Sequence, residues 1–160
     1  AVSLAHFLPK AMVTAVDISE AALDCCSRNI EKHCLQSRVK AMKSNLFEDL
    51  TRSELTNIID MVVSNPPYIP TRDIAGLSVN VKDFEPMLAL DGGIDGLDFY
   101  RIIIHDAAIY LKSGGILAFE IGYDQGQQIK DIIKENGNYY DLECFKDLAG
   151  LDRCIIARKQ

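Results

Sequence analysis

The chain has 160 residues, of which 48% are hydrophobic and 25% are charged, and this size and composition suit one globular domain. Its formal net charge of −6 disfavours a broad nucleic-acid-binding face, which normally needs an excess of lysine and arginine. No apolar segment approaches the roughly 20 residues that a membrane-spanning helix needs, so we expect no membrane contact.

The first part of the chain predicts helices and strands in alternation. The apolar start, A-V-S-L-A-H-F-L-P-K, predicts a helix rather than a signal peptide, because it has no basic leader or small-residue cleavage site. Residues 12–16 predict a buried strand that ends at Asp17, and Ser19 fits the N-cap of the helix that follows. Residues 38–42 and 58–63 predict two more strands.

A long irregular segment from Pro66 to about Gly93 comes next, and loops of this length are usually functional or disordered. Residues 97–111 predict a helix that ends in the sequence Lys112-Ser113-Gly114-Gly115. The remaining predicted elements are a strand at 116–121, a helix at 126–135, and strands at 140–146 and 153–158. This alternation predicts an α/β fold with a mostly parallel sheet and helices on both faces, in one domain over residues 1–160.

The cysteines give no sign of a metal site or a disulfide framework. Their number is odd and they form no C-x-x-C pair, which favours free thiols in a reducing, cytoplasmic compartment. The run D-G-G-I-D-G at residues 91–96 has some likeness to a calcium loop. Its third position is Gly93 and its twelfth would be Ile102, which cannot supply the bidentate carboxylate, so we expect no metal.

Asp17 is the first candidate binding residue, because ligands of doubly wound sheets lie at the carboxyl ends of strands. A carboxylate there can accept hydrogen bonds from both ribose hydroxyls of a nucleotide-like cofactor. It can equally cap the helix in the segment D-I-S-E, and the residues alone leave both interpretations open.

The strongest signal is Asn65-Pro66-Pro67-Tyr68, directly after the strand at 58–63. Each proline holds the residue before it in an extended conformation, so this corner is stiff before any ligand binds. Neither proline has an N–H, so the backbone presents carbonyl acceptors, and Asn65 adds a side-chain carbonyl. Tyr68 adds a flat ring on which a planar group can stack. Such a corner suits an amino group attached to a planar system.

With this motif the sequence resembles the amino methyltransferases that use S-adenosylmethionine. The run F-E-P-M-L-A-L-D-G-G-I-D-G-L-D-F-Y-R at residues 84–101, together with N-P-P-Y-I-P at 65–70, is similar to the release-factor glutamine N5-methyltransferases of the HemK/PrmC family. The resemblance implies a Rossmann-like class I methyltransferase fold with an antiparallel C-terminal strand. It also implies S-adenosylmethionine as cofactor, S-adenosylhomocysteine as product and a GGQ-type glutamine of a release factor as substrate. No direct nucleic-acid binding is expected.

The resemblance also assigns roles to individual residues. Asn45 lies where the family often has an aspartate near the adenine amino group, so it departs from the acidic pattern of the family at this position. The implied cofactor-binding residues are Asp17, Ile18, Asn45, Leu46 and Asn65. The implied substrate-binding residues are Asn65, Pro66, Pro67, Tyr68 and Glu85, of which Asn65, Pro66 and Tyr68 are also the catalytic residues.

Two features of the family are not found in the sequence: the glycine-rich cofactor loop and the small helical domain that precedes it. We therefore expect the chain to be a methyltransferase catalytic domain that is incomplete at its N-terminus. Two alternatives stay open at this point. One is an N-methyltransferase that acts on the amino group of a nucleic-acid base, and the other is an inactive fragment of such an enzyme.

Overall fold

The computed structural model describes residues 1–50, 52–78 and 84–160. The chain forms two compact units, Ala1–Thr51 and Arg52–Gln160. Helices and strands alternate in both, which confirms the predicted α/β class. The pairing in the described sheets is mixed, with two parallel and two antiparallel strand pairs. None of the helices in the described ranges has the length and apolarity that crossing a bilayer requires.

The first unit contains a pair of parallel strands and two helices. β1 and β2 run in register from the pair Val13 and Val39 to the pair Asp17 and Lys43, so both strands end at the same edge. The elements in chain order are α1 (Val2–Phe7), β1 (Val13–Asp17), α2 (Glu20–Lys32) and β2 (Val39–Lys43).

Local sequence explains where these elements begin and end. Ser19 is the N-cap of α2, as predicted, and its side chain accepts a hydrogen bond from the backbone N–H of Ala22 at 3.3 Å. The guanidinium of Arg38 donates to the carbonyl oxygen of Ala5 at 2.6 Å and holds the end of α1. A small apolar core of Ala5, Ile30, Leu35 and Val39 holds the unit together.

The second unit is built on a four-stranded sheet with the strand order β3-β4-β6-β5. β3 and β4 are parallel, and β6 is antiparallel to both of its neighbours. The elements in chain order are α3 (Arg52–Leu55), β3 (Ile59–Ser64), a 3₁₀ helix (Thr71–Gly76), α4 (Met87–Leu90), α5 (Asp98–Tyr110), β4 (Leu111–Glu120), α6 (Gly126–Asn136), β5 (Tyr139–Lys146) and β6 (Asp152–Lys159).

The predicted helix at residues 97–111 is confirmed as α5, but the prediction that residues 112–115 end it was wrong. α5 ends at Tyr110, and the following residue already pairs with Ile59 in the sheet. The next pair is Met61 with Ile116, five residues further along β4 but only two along β3, so β4 contains a bulge. Gly114 has a φ of 75°, which allows this turn inside the strand. The turn signal was therefore real, but it bends a strand rather than ending a helix.

The segment predicted as irregular from Pro66 to Gly93 contains ordered structure. The 3₁₀ helix and α4 lie within it, and Ile69 forms an isolated parallel bridge with Asp91. Residues 79–83 of this segment lie outside the described residues. The local sequence did not reveal this order, because its backbone hydrogen bonds join residues about twenty positions apart.

Candidate active site

Two parallel strands of the second unit end beside an open cleft of about 240 Å³. Asn65 directly follows β3, and Glu120 is the last residue of β4. Because parallel strands deliver their carboxyl ends to one edge, polar residues from both strands meet there, as in other doubly wound sheets. The cleft is lined by Val63, Ser64, Asn65, Ala118, Phe119, Glu120, Arg153 and Cys154.

The N-P-P-Y corner begins with an exposed residue and continues into residues that are less exposed. Asn65 is exposed, Pro66 is buried, and Pro67 and Tyr68 are half-buried. Within the described part of the chain, the carboxamide of Asn65 has no hydrogen-bond partner. The Asn65 side chain therefore has its full hydrogen-bonding capacity available for a ligand.

A second segment, residues 90–96, supports the residues that follow this corner and is called the brace below. The backbone N–H of Gly92 donates to the carbonyl of Ile69 at 2.9 Å, and the N–H of Ile69 donates to the carbonyl of Leu90 at 3.1 Å. The N–H of Thr71 donates to the carbonyl of Gly93 at 2.9 Å. These bonds join part of the run at residues 84–101 to the residues that directly follow N-P-P-Y.

Two glycines of the brace approach the motif so closely that no side chain fits. A Cβ on Gly92 would lie 2.8 Å from the Cα of Tyr68 and 2.9 Å from the carbonyl oxygen of Pro67. A Cβ on Gly96, which has a φ of 77°, would lie 2.4 Å from the carbonyl oxygen of Tyr68. Backbone packs directly on backbone here, which fixes the position of Tyr68.

The acidic residues of the D-G-G-I-D-G run bond to neighbouring residues of the brace. Asp91 accepts hydrogen bonds from the hydroxyl of Thr71 at 2.7 Å and from the N–H of Gly93 at 3.0 Å, and these bonds lower the pKa of Asp91. The guanidinium of Arg101 donates to Asp95 and likewise lowers its pKa. Among the residues that the structure describes, no group of three or more His, Cys, Asp or Glu side chains is arranged to hold a metal ion.

The end of β4 is fixed by a buried tyrosine. The hydroxyl of Tyr100 donates to the backbone carbonyl of Glu120 at 2.8 Å, and its ring packs edge-on against Phe119 with 5.2 Å between the ring centroids. Burial raises the pKa of Tyr100, so the phenol stays neutral and remains a donor. Tyr100 thereby holds the strand end that forms one wall of the cleft.

The sequence did not point to Glu120 or Gln125. Glu120 carries a weak signal, because it follows the apolar strand I-L-A-F just as Asp17 follows M-V-T-A-V. Gln125 carries no clear local signal, since two of its three side-chain partners, Tyr68 and Gly96, come from distant segments. Of the predicted substrate residues, Asn65 lines this cleft, whereas Pro66, Pro67, Tyr68 and the exposed Glu85 are not among its lining residues.

In the first unit, the predicted cofactor residues lie at the shared edge of β1 and β2. Asp17 is exposed, and its Oδ1 accepts a hydrogen bond from the N–H of Ser19 at 2.8 Å. Among the described residues its other carboxylate oxygen accepts no hydrogen bond. The N-cap of α2 is Ser19, so Asp17 supports the residue before the helix and keeps one carboxylate oxygen available for a ligand. Ile18, beside it, is also exposed.

The loop after β2 is held by the buried Ser44. Its hydroxyl donates to the carbonyl of Leu46 at 3.1 Å and accepts from the N–H of Asp49 at 3.0 Å, while Leu46 has a φ of 51°. The Nδ2 of Asn45 donates to Glu48 at 2.8 Å. That bond leaves the side-chain oxygen of Asn45 to accept a hydrogen bond from a ligand amino group, as an aspartate there would.

Comparison with known proteins shows which family the chain belongs to. The model of the family described as "Methyltransferase small domain" matches residues 1–80, which is half of the chain. The chain belongs to this family. The family match agrees with the resemblance predicted from the N-P-P-Y motif and the run at residues 84–101.

Curated relatives of this methyltransferase small domain protein match almost all of its length. A release factor glutamine methyltransferase of Moorella thermoacetica is 46% identical over 160 residues, which are 100% of this chain and 55% of the relative. A relative with the same name from Gloeobacter violaceus is 44% identical over 156 residues, which are 98% of this chain and 53% of the relative. The chain thus spans about half the length of the curated relatives it matches.

A solved structure confirms the predicted methyltransferase fold. The crystal structure of a methyltransferase from Pyrococcus furiosus has a TM-score of 0.66 and 21% sequence identity to this chain. The match covers 98% of this chain and 67% of that protein. At this identity the likeness supports the Rossmann-like class I methyltransferase fold alone, and the roles of the individual site residues stay predictions.

Proposed function

We propose that the protein transfers a methyl group from S-adenosylmethionine to the N5 nitrogen of a glutamine side chain in a peptide-chain release factor. The observation that carries the proposal is the 46% identity to a release factor glutamine methyltransferase across all 160 residues. The exposed carboxamide of Asn65, next to two prolines, supports the proposal because it can bind the amide group of a glutamine substrate. In this proposal residues 1–160 belong to one catalytic domain, which works in the cytoplasm where translation ends.

The polar groups at the ends of β1 and β2 fit a nucleoside. Asp17 has a carboxylate oxygen available to accept from ribose hydroxyls, and the side-chain oxygen of Asn45 can accept from an adenine amino group. Ile18 and Leu46 lie beside them and can contact the flat faces of the base. When bound, S-adenosylmethionine supplies a methyl group on a positively charged sulfur, which is already activated toward a nitrogen nucleophile.

Asn65 and Pro66 orient the substrate nitrogen in this proposal. The nitrogen of a glutamine amide is a weak nucleophile, because its lone pair is delocalised into the carbonyl. Its two N–H groups can donate to the side-chain oxygen of Asn65 and to the backbone carbonyl of Pro66, and this pair of bonds fixes the direction of the lone pair. The same two oxygens stabilise the positive charge that develops on the nitrogen as the new bond forms.

Tyr68 packs against the plane of the substrate amide and keeps water away from the reacting nitrogen. The rigid prolines hold Asn65 and Tyr68 at a fixed separation, so substrate binding needs little reordering of the corner. The nitrogen loses its proton after the methyl group has moved, when it carries a positive charge. The scheme therefore assigns no residue of the chain as a general base.

The direct test is a methyl-transfer assay with the natural full-length protein and labelled S-adenosylmethionine. We expect label in a release factor and none in the same factor with alanine in place of its GGQ-type glutamine, with the modified residue located by peptide mass spectrometry. Transfer to nucleic acid and not to the release factor would instead identify a base amino methyltransferase. A protein that neither transfers a methyl group nor shows a thermal shift with S-adenosylhomocysteine would contradict both assignments.

A further inference from the structure

A glutamine that is only 5% exposed, Gln125, lies at the start of α6 and joins three segments of the second unit. Its Nε2 donates to the carbonyl oxygen of Tyr68 at 2.9 Å and to that of Gly96 at 3.2 Å. Its Oε1 accepts from the backbone N–H of Gly122 at 3.0 Å. One side chain therefore bonds to the N-P-P-Y motif, to the brace that packs on it and to the loop after β4.

The chemistry of these three bonds requires a carboxamide. The two carbonyl oxygens of Tyr68 and Gly96 need donors, while the N–H of Gly122 needs an acceptor. A glutamate would place a carboxylate oxygen against two carbonyl oxygens and bury an unpaired charge. A methionine has nearly the same length but would leave all three backbone groups without this partner. Only a side chain with a donor end and an acceptor end satisfies them together.

The contacts of Gln125 bear directly on Tyr68. Gly92 packs against the Cα of Tyr68, and the amide of Gln125 holds its carbonyl oxygen. The backbone of Tyr68 is thus fixed by residues distant from it in sequence, and the backbone sets the direction of the Cα–Cβ bond and the rotamers that the side chain can adopt. Movement of this carbonyl would change the direction in which the Tyr68 ring leaves the backbone.

We propose that Gln125 is a positioning residue for methyl transfer: it fixes Tyr68 so that the ring lies against the substrate amide that Asn65 holds. The proposal rests on the function proposed above and extends it to a residue that does not itself touch the substrate. A purely structural glutamine would affect the whole unit, whereas the proposed effect of Gln125 on turnover depends on the ring of Tyr68 alone. Removing that ring should therefore abolish the effect.

The test measures Gln125→Met in the natural full-length protein, both alone and combined with Tyr68→Ala. We expect the variant alone to lower kcat for the release factor about tenfold or more, because small misplacements of positioning groups have large effects. The dissociation constant for S-adenosylhomocysteine should stay within about twofold, since Asp17 and Asn45 are unchanged. In the Tyr68→Ala background the same substitution should change kcat less than about twofold, which is the coupling expected of residues that act as a unit.

The matched control is Gln128→Met, an exposed glutamine in the same helix, for which we expect unchanged kcat. Equal losses of kcat in the two backgrounds would show a general structural role and overturn the proposal, as would a Gln125→Met variant with normal turnover. If Gln125→Met does not fold, as judged by circular dichroism, Gln125→Asn keeps the amide and is judged by the same comparison. Absence of transfer by the unmodified protein would overturn the proposed function itself, and this inference with it.

Discussion

The loop after β2 and the loop after β3 are both candidate binding loops, but they are held in place differently. In the first, the side-chain bonds of Ser44 reach Leu46 and Asp49, two and five residues away. In the second, the carbonyl of Tyr68 is held by Gln125, 57 residues away. The geometry of the first loop is thus determined by hydrogen bonds between residues close in sequence, whereas the geometry of the second depends on the packing of its whole unit.

Among the variants that distinguish the roles of the two loops, Asn65→Ala should have the largest effect. Loss of one preorganised contact to the developing charge should lower kcat for the release factor on the order of 10²-fold or more. Although Asn65 is also an implied cofactor residue, the affinity for S-adenosylhomocysteine should change far less, because Asp17 and Asn45 remain. Steady-state kinetics and calorimetry with the cofactor product measure the two quantities.

Because Asn65 is exposed and has no partner among the described residues, its loss should change the free energy of unfolding by no more than about 0.5 kcal/mol. Asn138→Ala, an exposed asparagine beside β5, is the matched control and should leave kcat unchanged. Near-normal methylation by Asn65→Ala would remove this residue from the proposed mechanism.

Asp17→Ala should weaken the binding of S-adenosylhomocysteine rather than lower kcat. A hydrogen bond to a charged group contributes about 1.5–3 kcal/mol, so we expect the affinity for S-adenosylhomocysteine to fall about tenfold to a hundredfold. Turnover at saturating cofactor should stay close to normal, since the substrate corner is intact. Asp24→Ala, an exposed aspartate of α2, is the control. Equal affinities for the two variants, measured by calorimetry, would argue against Asp17 as a cofactor residue.

Gly92→Ala tests whether the second loop depends on its brace. The new Cβ would meet the backbone of Tyr68 and Pro67, so the segments must separate, at a cost of about 1–3 kcal/mol in the free energy of unfolding. We expect a lower urea midpoint together with lower kcat. Gly76→Ala adds the same methyl group where no atom lies within 4 Å and should be neutral or slightly stabilising. Similar midpoints for the two variants would mean that the brace is not tight.

The smallest effect concerns acid stability of the brace. The hydroxyl of Thr71 and the N–H of Gly93 lower the pKa of Asp91, so its ionised form stabilises the fold above the unfolded pKa of about 3.9. That contribution is lost as pH falls through the lower folded pKa. The stability difference between the wild-type chain and Asp91→Asn should therefore shrink from pH 7 toward pH 3 in urea titrations. Asp124→Asn serves as the control, and a difference that grows on acidification would contradict the assignment.

Sequence alone predicted the features that depend on neighbouring residues. The N-cap at Ser19, the strand end at Asp17 and the position of Asn65 directly after an apolar strand all follow from local pattern. The sequence could not predict the role of Gln125 or of Gly92, because their partners are set by which segments the sheet brings together. The run at residues 84–101 was recognised through a resemblance, and its physical reason appeared only in the hydrogen bonds of the brace.

The bulge in β4 has a consequence for how the chain can change in length. The extra residues of β4 are taken up between its pairs with Ile59 and Met61, and Gly114 there has open space around it. This end of the strands is opposite the end that forms the cleft, and the pairing of Met61 through Ser64 continues without further shifts. We therefore expect this corner to accept inserted residues or an attached fluorophore while methylation continues, which makes it a suitable site for a reporter.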